Sequence, residues 1–263
     1  MVDIHCHILP AIDDGVQSME EALELIGREV EGGTTRFIAT PHVYTDQDIL
    51  NSPQLHDRVA QLQQAVDDAG IAARIVQGAE VFPTVAIGPA LDKNLPLTPG
   101  GHRKHMLIDL PMSNFPMNFD DILFEVQSRG ITPILAHPER TGPFQRDPEK
   151  IRTYLEKGIV CQVNAGSVTG KYGQRASEVA MIYLRNRWAQ LLASDAHAPR
   201  PRPILRRAMN VLSEEIDADY LELLTETSGA CVADGLALPP LPQAPPPVKK
   251  GFFQGLFGRK GRQ

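Results

Sequence analysis

Two hydrophobic rhythms take turns along this chain. Short aliphatic runs alternate with stretches whose apolar positions fall three and four apart, the periods of strand and helix. Asp3-Ile4-His5-Cys6-His7-Ile8 reads as the first strand. It places His5 and His7 on one face and Ile4, Cys6 and Ile8 on the other, because side chains two apart point the same way. Ser18-Met19-Glu20-Glu21 is a capping-box pattern that opens a helix through Ala22, Leu25, Ile26 and Val30, stopped by Gly32-Gly33. Thr35–Thr40 is a second strand, ending in Pro41-His42. Ser52-Pro53 then predicts a helix start, and Leu55, Val59, Leu62 and Val66 supply its apolar stripe.

The same order repeats. Strands are predicted at Ala73–Ala79, Met106–Ile108, Thr132–Ala136, Ile159–Val163 and Ala189–Ser194. Helices are predicted around Asp120–Gly130, after Asp147-Pro148, over Arg175–Arg187 and between Ile204 and Ser228. Seven strand-then-helix units imply a parallel sheet, and in an α/β barrel every strand would end on one face. The strand ends are polar throughout: His5 and His7, His42, Glu80, Asp109, His137, Asn164, then Asp195 and His197. Residues far apart in sequence would converge there.

Imidazoles and carboxylates gathered in one place are metal-ligand chemistry. His-x-His on a strand is by itself often a polar edge. The equivalent positions of His42, Glu80, Asp109, His137, Asp195 and His197 turn the balance towards metal. So many ligands exceed one ion, which requires two or three metals with a carboxylate such as Glu80 bridging. Asp14 is either a further ligand or only the turn residue of Asp13-Asp14-Gly15. Arg140, three residues past His137, either grips a phosphate through paired hydrogen bonds or forms a salt bridge with Glu139 or Asp147. Arg200 and Arg202, after His197, raise the same question. His56, His102 and His105 are expected to lie outside the site.

Composition narrows the partners. The formal charge is −6, and all five charged residues beyond Pro239 are bases; the remaining 21 bases face 32 acids, a net −11. Such a body is a poor binder of nucleic acid, which needs clustered cations. Three scattered cysteines, no secretory pattern and no run of about 18 apolar residues point to a cytoplasmic protein.

The chain resembles the CpsB-type bacterial tyrosine phosphatases of the polymerase-and-histidinol-phosphatase (PHP) superfamily. The resemblance rests on Asp3–Gly15, Ala39-Thr40-Pro41-His42, Gly78-Ala79-Glu80, Leu135–Arg140, Gln162–Ser167 and Ala193–His197, in the family's order. It implies a distorted (β/α)7 barrel over residues 1–230 with a trinuclear site, usually manganese-dependent, with iron, zinc or magnesium open as alternatives. One metal would take His5, His7, Glu80 and Asp195; a second, Glu80, Asp109 and His137; a third, Asp14, His42 and His197. Arg140 and one of Arg200 or Arg202, here Arg202 by preference, would contact the phosphate, and His42 or a metal would assist the leaving group. Asp109 stands where the family usually has glutamate. The implied substrate is a phosphotyrosine protein, an autophosphorylating tyrosine kinase of capsule or exopolysaccharide biosynthesis. Alternatives are a histidinol-phosphate-type small-molecule phosphatase and a regulatory subunit without turnover.

Beyond the barrel, the proline-rich stretch 231–247 is expected to be an extended linker. The tail 248–263 mixes bases with Phe252, Phe253, Leu256 and Phe257, a composition suited to an anionic membrane surface or an acidic partner.

Overall fold

The computed structural model describes residues 1–244. Its strands are β1 (Val2–Cys6), β2 (Arg36–Ala39), β3 (His42–Val43), β4 (Arg74–Gln77), β5 (Glu80–Val81), β6 (His105–Ile108), β7 (Thr132–Ala136), β8 (Val160–Asn164) and β9 (Leu191–Ala193). All pairings are parallel, in the orders β1-β2-β4 and β3-β5-β6-β7-β8-β9. β2 and β3 form one strand position, the predicted strand Thr35–Thr40 extended through Val43 and broken at Thr40-Pro41, where proline offers no N–H to the ladder. β4 and β5 are another, broken at Gly78-Ala79, where a Cβ on Gly78 would lie 2.6 Å from Ile38. The seven predicted strands are therefore present as nine pieces in seven positions. The ring closes where the chain past β9 meets β1: the Asp195 N–H donates to the His5 carbonyl and the His7 N–H to the Ala196 carbonyl, both at 2.9 Å.

One expectation about β1 fails. Its register against β2 slips between Asp3 and Cys6, a bulge that sets two residues against one. Simple alternation is lost there. Ile4 therefore packs with Ile38, Leu107, Ile134 and Leu191, while Cys6 packs with Phe37, Ala39 and the helices outside. The Ile4 cluster is the apolar floor on which the polar strand ends stand.

The helix Met19–Glu31 begins as expected, with Ser18 Oγ accepting from the Glu21 N–H at 3.2 Å. Only half of the capping box forms, because the Glu21 carboxylate accepts from Gln17 instead. Ser52 is not an N-cap. Its hydroxyl donates to the Ile49 carbonyl at 2.7 Å, at the end of a helix Asp46–Asn51 that the pattern did not predict. A complete box of Thr45 and Asp48 opens that helix, and Gln54–Asp68 follows without a side-chain cap.

The helix Ser228–Asp234 closes at Gly235 in the left-handed conformation, so the expected linker is helical up to Asp234. Residues 236–244 form neither helix nor strand, yet Leu238 packs against the Ile4 cluster. The rest of the linker and the whole tail lie outside the described residues. Among those described, no helix is long and apolar enough to cross a membrane.

Glu29, buried on the first helix, caps the helix Ile204–Leu212 by accepting the Ile204 N–H at 2.6 Å. Burial, with Asp3 nearby, pushes its pKa up to about 7. The native state thus holds a proton that the unfolded chain releases near pH 4.5, and stability is lost as pH rises through 7. Glu29→Gln keeps the acceptor and cannot ionise. Urea midpoints at pH 5 and pH 8 are expected to show the wild type losing about 2 kcal/mol more than the variant over that window.

Candidate metal centre

The site is built from strand ends, and local devices aim its side chains. Gly15 allows the loop after β1 to fold back, since a Cβ there would lie 2.3 Å from the His7 carbonyl oxygen. The fold-back brings Asp13 Oδ2 to 2.7 Å from His7 Nδ1 and lets the same oxygen accept the His42 N–H at 3.0 Å. Gln162 on β8 orients His5. Its Nε2 donates to the Val163 carbonyl, which leaves Oε1 as the acceptor 3.1 Å from His5 Nδ1. Both imidazoles therefore donate from Nδ1 and turn Nε2 inward, the two nitrogens only 3.2 Å apart.

Around this pair stand the other predicted residues. Glu80 Oε2 lies 3.1 Å from His5 Nε2, 3.4 Å from His7 Nε2 and 3.0 Å from His42 Nδ1; its Oε1 is 3.2 Å from His137 Nε2. Asp195 Oδ1 is 3.5 Å from both His5 and His7. Asp14 Oδ1 sits 3.4 Å from His42 Nε2 and from His197 Nε2. His137 and Asp195 adopt positive φ (35° and 50°), a costly conformation for residues with a Cβ, held here by the surrounding structure.

All nine predicted ligands meet, five imidazoles and four carboxylates, in overlapping groups. The grouping departs somewhat from that implied by resemblance. His7, Asp14, His42 and His197 form one set and His5, His7 and Glu80 another. Asp109 joins His42 and Glu80, while His137 joins His5 and Asp195. Asp14 is exposed, and its Oδ1 lies between two imidazoles of the cluster.

This arrangement calls for positive charge. Burial alone disfavours protonated imidazoles, but Glu80 and Asp195 push His5 up to about 9, and Asp13, Asp195 and Glu80 raise His7 well above its ordinary value. Glu80, against its own burial, is held well below the carboxylate range by His5, His137 and His42. At Asp109 burial and the Glu80 charge outweigh the pull of His137, His42 and His5, and its pKa is pushed up to about 6. Buried Glu80 Oε2 and His42 Nδ1 make no hydrogen bond despite their close neighbours. Donor atoms that crowd together without hydrogen-bond angles are arranged as ligands about cations, and this oxygen-and-nitrogen set fits divalent metals.

A family model described as capsular polysaccharide synthesis, CpsB/CapC, matches residues 1–232. The chain belongs to the CpsB/CapC family. It is 28% identical over 259 residues to the tyrosine-protein phosphatase YwqE of Bacillus subtilis (strain 168), covering 98% of this chain and all of that one. To the tyrosine-protein phosphatase CpsB of Streptococcus pneumoniae it is 24% identical, covering 90% of this chain and all of the other. A solved structure, from crystal structures of YwqE from Bacillus subtilis and CpsB from Streptococcus pneumoniae described as unique metal-dependent tyrosine phosphatases, superposes with a TM-score of 0.83. The identity there is 26%, over 93% of this chain and 99% of that one.

In this CpsB/CapC chain Arg140 bonds neither Glu139 nor Asp147. It donates to Asp195 Oδ2 at 2.5 Å, and its guanidinium lies 4.0 Å over the Tyr172 ring. Arg200 and Arg202 are exposed and form no hydrogen bond or ion pair among the described residues. His105 begins β6, at the opposite end from the cluster, and His56 and His102 line a separate cleft. Sequence reasoning gave four residues no role. Asp13 and Gln162 set the histidine tautomers, Asn164 Nδ2 donates to Asp195 Oδ2 at 2.7 Å, and Tyr172 braces Arg140. Two of them carried a signal: Asp13 by its place two residues before a glycine beside His-x-His, and Asn164 by its place at a strand end. Asp13→Ala is expected to weaken divalent-ion binding about 10- to 100-fold, checked by calorimetric titration of the metal-free protein.

Proposed function

We propose that this chain is a metal-dependent protein-tyrosine phosphatase acting in capsule or exopolysaccharide synthesis. Its substrate is phosphotyrosine on an autophosphorylating tyrosine kinase, and its resident ions are two or three Mn²⁺. The observation that carries the reading is the union of a buried cluster of metal-ligand type with a guanidinium at its edge, in a chain of the CpsB/CapC family. The working unit is residues 1–230, with Arg202 as a second phosphate contact. We assign the tail 248–263 to weak contact with an anionic membrane surface or acidic partner, and the protein to the cytoplasm.

His5, His7, Glu80, Asp195, Asp109, His137, Asp14, His42 and His197 would hold the ions. When bound, divalent ions supply Lewis-acid polarisation of the phosphoryl oxygens and a water nucleophile ionised near neutral pH. The chain's own groups do the rest. Asp13 and Gln162 accept from the Nδ1 atoms of His7 and His5, which selects the tautomer whose Nε2 is the ligating atom. Arg140, flat against Tyr172 and tied to Asp195, presents its remaining N–H groups to equatorial phosphoryl oxygens, where charge accumulates. A tyrosine leaving group, with a pKa of about 10, departs with little proton assistance. His42 has carboxylates beside both ring nitrogens, which favours ligation over proton donation. No thiol is needed: Cys6 and Cys161 are buried, and burial raises both well above the ordinary thiol value.

With Mn²⁺ supplied, phosphotyrosine peptide is expected to be hydrolysed at least about tenfold faster than phosphoserine peptide or histidinol phosphate. Chelation abolishes turnover and thiol alkylation spares it. Loss on alkylation with the metals retained, or preference for histidinol phosphate, contradicts the reading. Arg140→Ala is expected to lower kcat/KM about 100-fold in the same assay.

A further inference from the structure

Beside the cluster lies a cavity of about 180 Å³ that the chemistry above leaves unused. Its lining brings together the loop after β1, β3 and the start of the helix Gln54–Asp68. Ile12, Val43 and Leu55 supply apolar walls, Asn51 and Arg58 the polar ones, and His42 is shared with the metal cluster. The volume suits one amino-acid side chain. Peptide neighbours advance about 3.3–3.6 Å per residue when extended, so a cavity sharing a wall with the phosphate site is reached within about two residues of the phosphotyrosine.

Charge decides which side chain. Asp48, the only acid lining the cavity among the described residues, is already spent. Its Oδ2 accepts from the Tyr44 N–H at 3.1 Å and from the Thr45 N–H and hydroxyl at 2.8 Å. Asn51 Oδ1 accepts from Gln47 at 3.1 Å. Arg58, in contrast, forms no ion pair or hydrogen bond among the described residues, although the body of the chain is rich in acids. An aliphatic lining topped by an uncommitted guanidinium complements a short apolar stem that ends in a carboxylate.

We propose that this cavity is a specificity subsite that takes a glutamate or aspartate side chain within two residues of the phosphotyrosine. Ile12, Val43 and Leu55 pack on its methylenes, and Arg58 pairs with its carboxylate. The subsite rests on the phosphatase reading and adds a sequence preference to it. It has a further consequence: the region between β3 and the helix Gln54–Asp68, which supplies no predicted ligand after His42, selects among phosphotyrosine sites.

The test is a set of phosphotyrosine peptides that differ only at positions −2 to +2, carrying Glu, Ala or Lys, with kcat/KM measured on the Mn²⁺-loaded full chain. At one of those positions the wild type is expected to prefer Glu to Lys about fivefold, the scale of an exposed ion pair gained against a repulsion introduced. Arg58→Glu is expected to reverse the preference, so that Lys exceeds Glu at the same position. The ratio between peptides is the readout, which removes any general change in turnover. Peptides hydrolysed at equal rates, or a preference unmoved by Arg58→Glu, overturn the subsite and leave the phosphatase standing. Absence of turnover on every phosphotyrosine peptide and on a simple aryl phosphate overturns both.

Discussion

Two imidazole Nε2 atoms face each other across 3.2 Å at the mouth of the ring, with Glu80 and Asp195 pressed against them. Without a cation or additional protons that contact is repulsive, and the surrounding carboxylates make the demand for positive charge stronger. Much of the chain's local irregularity serves this one contact. The bulge in β1, the left-handed His137 and Asp195 and the fold-back at Gly15 each cost the isolated backbone something, and each aims a donor atom at the same point.

Such a cluster has to be held rigidly from below and from the side. Below it, Ile4, Ile38, Leu107, Ile134 and Leu191 form a packed apolar layer inside the ring that supports the strand ends. From the side, Asp13, Gln162 and Asn164 fix the tautomer or orientation of His7, His5 and Asp195. Glu139 gives similar support from farther out. Buried beside β8, it accepts from the Asn164 N–H at 2.9 Å and the Ser167 hydroxyl at 2.7 Å, joining the β7 loop to the strand that carries Gln162.

The edge of the cluster is where chemistry and recognition separate. Arg140 is bound tightly, by Asp195 on one side and the Tyr172 face on the other, and a guanidinium so constrained loses little freedom when it meets a phosphoryl group. Arg58 is exposed and forms no ion pair or hydrogen bond among the described residues, which leaves it open to the recognition role proposed above. Asp109 stands between these roles. It is grouped with His42 and Glu80 and raised to about 6 by its burial, so the shorter side chain still reaches the cluster.

The alternating pattern was sufficient to place seven parallel strand positions and to pick out the polar residues at their ends, because strand period, helix caps and chain order are local properties. Those polar ends included eight of the nine residues that meet, the ninth being Asp14 in the turn after the first strand. Tertiary structure alone decided the rest. The bulge that sends Ile4 inward arises from the register of β1 against β2, about thirty residues away, and no local pattern carries it. The tautomers of His5 and His7 depend on Gln162 and a folded-back Asp13, and Arg140 chose Asp195 over its sequence neighbours because ring closure brought that carboxylate within 2.5 Å. Periodicity tells a residue which strand end it occupies; which atom it turns inward, and towards which partner, is settled only when distant strands pack.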